Sequence, residues 1–153
     1  MRTDLILTLD ESWSVRELAG QRVAAVGDTG ALLAWGSLVA YPDDVERWQQ
    51  RALAVDVAAD ASVTIRATEA RTTRTGWPFE LVDASVVRAG QPIEERVAAF
   101  YKFLEYGAVA LLRAPTPSAL ELARADVLAV FATGAPAWSP VCLHELLAPA
   151  RRA

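Results

Sequence analysis

Residues Arg96 to Arg113 read RVAAFYKFLEYGAVALLR, and two periodicities compete in them. Val97, Phe100, Tyr101 and Leu104 recur at helical spacing, whereas Val97, Ala99, Tyr101 and Phe103 fall on one face of a strand. Periodicity alone does not choose between them. The density of aromatic residues, and Gly107 followed by the apolar run Ala108 to Leu112, favour two strands turning near Glu105 to Gly107. A helix followed by a strand is the alternative.

Upstream, the local signals are clearer. Leu5 to Leu9 is β-prone, and Asp10, Glu11 and Ser12 break it before a less regular segment opened by Trp13. Gln21 to Val26 and Ala31 to Ala40 are apolar stretches joined by Gly27-Asp28-Thr29-Gly30, whose glycines suit a tight hairpin turn. A phosphate-binding loop would need Lys and Ser or Thr after the last glycine, and Ala31 and Leu32 stand there instead. Pro42 and Asp43 open a helix, with Glu46 three residues after Asp43 as a capping box; Val45, Trp48, Ala52 and Val55 form its buried stripe, and it ends near Asp56. Ser62 to Ala70 alternates as a half-buried strand, and Gly76-Trp77-Pro78 introduces a further strand from Phe79 to Arg88, with Asp83 as an irregularity.

Downstream, Thr116-Pro117-Ser118 starts a second helix, with Ser118 and Glu121 as its capping box and Leu120, Ala123, Val127, Leu128 and Phe131 as its buried stripe. Gly134, by a left-handed cap, and Pro136 stop it. Pro140 to Leu147 reads as a last short helix. The order lacks the regular βαβ alternation of a parallel sheet, so the expected fold is α+β, an antiparallel sheet packed against helices. Residues 1–148 are expected to form one domain, with 149–153 as a fraying tail.

With 153 residues and a net charge of −4, the chain supports one core and lacks the basic field on which nucleic-acid affinity depends, so no nucleic-acid partner is expected. Met1 to Asp10 has neither a long apolar stretch nor a small-residue cleavage site, and the weakly polar run Val23 to Tyr41 is interrupted by Asp28 and Thr29. The expectation is a cytoplasmic protein with no stable membrane insertion. The lone Cys142 is compatible with a reducing compartment.

Few residues offer chemistry. His144 is the sole histidine, and Cys142, the one thiol near it, points to the opposite face if this stretch is extended. Together they cannot supply a Cys/His zinc site. Paired acids could act as acid and base at Asp43, Asp44 and Glu46 or at Glu94 and Glu95, but helix-end electrostatics explains both groups. Glu69, Arg71, Arg74 and Glu80 could line a polar site across neighbouring strands, or simply pair on a solvated face. No catalytic residue, metal or cofactor is assigned, and the chain is expected not to be an enzyme.

The segment Val45 to Phe131 resembles the PsbP-like α/β/α sandwich superfamily, particularly its bacterial DcrB-like branch. The resembling features are a helix ending near Val57, a strand, the Thr75-Gly76-Trp77-Pro78 turn, another strand, the Arg96 to Arg113 stretch with Phe100-Tyr101 and Gly107, and a closing helix from Ser118. The resemblance implies a non-catalytic binding fold, and includes the Eag-type chaperones that accompany type VI secretion effectors.

The leading expectation is therefore an adaptor or chaperone that captures an apolar segment of a partner protein on exposed apolar residues of the sheet or along an unpaired strand edge, with homodimerisation through the same surface as a companion. The candidate surface is Trp77, Phe79, Tyr101, Phe103 and Tyr106, if these aromatics are exposed rather than core. The alternatives are a small-molecule or lipid carrier with a cavity between sheet and helices, lined by Trp48, Phe100 and Phe131, and an enzyme using carboxylates or the Cys142/His144 pair.

Overall fold

Arg96 to Arg113 is a hairpin in the computed structural model, which describes residues 4–9 and 11–138. In chain order the elements are β1 (Leu5–Ile6), β2 (Val15–Leu18), β3 (Gln21–Ala25), β4 (Leu32–Trp35), β5 (Val39–Ala40), α1 (Val45–Leu53), β6 (Ala61–Thr72), β7 (Pro78–Arg88), β8 (Gln91–Phe103), β9 (Tyr106–Ala114), α2 (Pro117–Phe131) and β10 (Ala135–Pro136). Cys142, His144 and the helix expected over Pro140 to Leu147 lie outside the described residues.

Eight strands form one antiparallel sheet in the order β2-β3-β4-β9-β8-β7-β6, with β5 also paired to β9, while β1 pairs with β10. Alternation along β8 explains the layering. Val97, Ala99, Tyr101 and Phe103 join Val127 and Phe131 of α2 in one cluster; Ala98 and Phe100 join Leu53 of α1 in another. One helix therefore covers each face, which is the expected α+β sandwich.

The helix ends differ from the expected ones in detail. Asp44, not Asp43, caps α1, its carboxylate accepting from Arg47 N at 3.1 Å. This helix also stops at Leu53 rather than near Asp56, and its buried residues are Gln49 and Leu53, with Trp48 and Ala52 only half-buried. Thr116, not Ser118, caps α2, accepting from Ala119 N at 3.1 Å, and Pro117 occupies the first turn where its missing N–H costs nothing. The irregularity expected at Asp83 lies on the neighbouring strand, where Arg66 is the extra residue between Ile65, paired with Ala84, and Ala67, paired with Asp83.

Two glycines serve close approach instead of turning. Gly107 is inside β9, the turn being made by Leu104 and Glu105, and a Cβ at Gly107 would come within 3.1 Å of the Trp48 ring. Gly134 has no left-handed φ; a Cβ there would sit 2.6 Å from Tyr101 Cζ. Gly134→Ala is accordingly expected to lower stability by about 1–3 kcal/mol through overpacking, measured by urea unfolding. An unchanged midpoint would mean that the Tyr101 ring yields freely.

Candidate functional site

The five aromatics expected at a surface divide. Tyr101 and Phe103 have 0% of their surface exposed and Phe79 is buried with them beneath α2, so these three are core and form no accessible patch. Tyr101 stacks on Phe103 with centroids 5.4 Å apart and donates its hydroxyl to the Phe131 carbonyl at 2.6 Å; burial pushes its phenol pKa up. Half-buried Trp77 packs edge-on to Phe103 at 5.4 Å. Of the five, only Tyr106 is exposed, where it meets the Trp138 ring. Strand parity causes this division: odd-numbered residues of β8 turn toward α2, and a helix already lies there.

An open apolar groove lies on the other face. α1 rests on β8 and β9, and Trp48, Arg51, Ala52 and Val55, which recur at helical spacing, flank a groove floored by the strands it leaves uncovered. Val23, Leu32, Ala34 and Leu111 supply the floor and Leu18 the far rim. The space is about 690 Å³. Leu18 is 62% exposed, Leu32 47% and Val55 42%, an unusual concentration of wet aliphatic side chains in one place. A second groove, of about 640 Å³, runs along the opposite flank of α1 past Val63 and Ile65 of β6.

A charged network holds the helical wall. Arg96, whose side chain is 1% exposed, donates from Nη1 to the carbonyls of Leu53 at 2.8 Å and Val55 at 2.6 Å, satisfying the C-terminal end of α1. Its Nε donates to Glu94 at 2.8 Å, and Arg113 Nε donates to the same oxygen at 2.9 Å while its Nη1 reaches Asp56. Burial pushes the Glu94 carboxyl up, but the Arg113 and Arg96 guanidiniums more than offset this and hold it below its ordinary range. Arg113 is correspondingly held above its ordinary value, chiefly by its hydrogen bond to Glu94.

The acids considered for catalysis do not converge. Glu94 and Glu95 are neighbours on a strand and point to opposite faces: Glu94 joins this network, whereas buried Glu95 accepts from Ser85 Oγ at 2.7 Å and meets Arg66 at 3.4 Å. Asp44 is consumed as a helix cap. Glu69 pairs with Arg71 at 3.0 Å on β6, and Glu80 lies on the α1 side, accepting from Gln49 at 3.0 Å, so the expected polar row is split between two faces. Asp83 and Arg124 form a two-pronged ion pair that ties α2 to the sheet. Among the described residues there is no group of three His, Cys, Asp or Glu side chains placed to hold a metal ion.

These features define an α+β sandwich of the PsbP-like kind, carrying an open apolar groove. The solution structure of cyanobacterial PsbP (CyanoP) from Synechocystis sp. PCC 6803 has the same fold, with a TM-score of 0.60 over 86% of this chain and 92% of that one, at 11% sequence identity. That likeness is one of fold. No protein-family model and no curated protein sequence matches the chain.

Proposed function

We propose that the protein is a non-catalytic cytoplasmic adaptor or chaperone that holds an apolar segment of a partner protein in the groove beside α1. The observation that carries this is the exposed aliphatic lining, Leu18, Leu32 and Val55, on a face that α1 covers only in part. Its dimensions suit a helix. β4 and β3 lie one and two strand spacings beyond β9, about 5 and 10 Å, and packed helices stand about 8–10 Å apart, so one helical segment fits next to α1. No described helix is long and apolar enough to cross a membrane. The finer assignment to Eag-type chaperones of type VI secretion belongs to the same proposal and rests on the sequence resemblance.

The test is native mass spectrometry of the protein purified gently from its own host, repeated with Leu32→Asp and Leu18→Asp. A stoichiometric protein partner, lost in both variants while their melting temperatures stay unchanged, is the expected result. Recovery without a partner, or a partner indifferent to both substitutions, would count against it.

A bound small molecule would instead favour a carrier. That reading loses the lining expected for it, because Trp48 and Phe100 meet with centroids 5.2 Å apart on the α1 side whereas Phe131 belongs to the α2 core across the sheet. The groove is also open to water, unlike the sites that enclose most of a small ligand's surface.

A further inference from the structure

The sheet has two edge strands of different character. β2 has four residues, and its sequence, Val-Arg-Glu-Leu, resists pairing with itself: a two-fold axis at Arg16 sets arginine against arginine, and one at Glu17 sets glutamate against glutamate. β6 has twelve residues, is paired to β7 on one side along its whole length, and carries no strand on the other among the described residues.

We propose that β6 pairs antiparallel with β6 of a second copy, about a two-fold axis through Ala70. Beyond the Arg66 bulge, Ala67 to Thr72 is a regular run. Glu69 and Arg71 stand opposite Leu81 and Phe79 of β7 and so share the α2 face, while Thr68, opposite Val82, shares the other with Ala70 and Thr72. An axis at Ala70 places Glu69 against the second copy's Arg71 twice and Thr68 against its Thr72 twice, with the small Ala70 side chains meeting at the centre. Opposite charges and threonine pairs are favourable cross-strand partners. Moving the axis to Glu69 or Arg71 would oppose like charges, so this register is selected by charge. The Glu69 and Arg71 side chains are 59% and 36% exposed, which leaves both able to exchange their present mutual contact for an intermolecular one.

The interface is short, so the dimer is reversible and concentration-dependent. Because the axis stands perpendicular to the sheet, both copies present their α1 faces on the same side. The proposal uses a surface separate from the groove and stands or falls without it.

The test uses sedimentation velocity at low ionic strength in a Cys142→Ala background. The parent should show a monomer–dimer equilibrium. Glu69→Arg should weaken it by about tenfold or more, since two attractions become repulsions, and adding Arg71→Glu should restore it. Ala70→Cys should give a disulfide-linked dimer under mild oxidation, because directly opposed antiparallel residues lie within disulfide reach; Val63→Cys should not. A monomer at every concentration, or a dimer that neither responds to Glu69→Arg nor cross-links through Ala70→Cys, overturns the proposal.

Discussion

Phe103→Asp is expected to abolish the cooperative thermal transition of this protein. Phe103 has no exposed surface and packs between the rings of Tyr101 and Trp77. Truncating a buried phenylalanine typically costs about 3–5 kcal/mol, and an unpaired carboxylate in the same place adds a desolvation penalty of several more. A domain's whole stability is about 5–15 kcal/mol. Tyr106→Asp is the control: Tyr106 is 39% exposed, so the variant should remain folded. Circular dichroism melts of the two separate the cases. A folded Phe103→Asp protein with weakened partner capture would instead return the binding surface to this side of the sheet.

Arg96→Met should have the next largest effect, lowering unfolding free energy in urea by about 1–3 kcal/mol for each buried carbonyl that loses its donor. The substitution preserves much of the side-chain volume but leaves the carbonyls of Leu53 and Val55 without their donor, and leaves Glu94 with Arg113 alone. Arg96→Lys should fall between wild type and Met, since one ammonium cannot reproduce a planar guanidinium that reaches the carbonyls of Leu53 and Val55 and a carboxylate together. Partner capture should fall along with stability, because α1 is one wall of the groove. Stability equal to wild type in Arg96→Met would show that water satisfies those carbonyls and that Arg96 does not anchor the helix.

The elements with strong local signals were legible in the sequence. The Gly27 to Gly30 turn between β3 and β4 is one, with both glycines at positive φ. The two helices and the strands β6 and β7 are others. β2 was not legible: its four residues are all exposed and carry no alternation to announce a strand. The role of Gly134 was equally hidden, because it is set by the ring of Tyr101, thirty-three positions away in the chain and adjacent only after α2 has folded back over β8.

The candidate site was less legible than the fold. Aromatic residues attract attention as binding groups, yet the groove's exposed lining is aliphatic and drawn from β2, β4 and the turn that follows α1, so no single stretch displays it. Glu94 and Glu95 look like a pair when read along the chain, but strand geometry sends them to opposite sides.

Composition, turn residues and the spacing of apolar side chains are local properties of the chain, and they were enough to establish an antiparallel sheet with helices and to identify which residues could be buried. Which of them are buried depends on which sheet face each helix covers. α2 spans fifteen residues and seals its face over Tyr101 and Phe103, whereas α1 spans nine and leaves Leu18 and Leu32 in water. That outcome depends on how far a short helix reaches across a wide sheet, a relation between distant segments that exists only once they are packed.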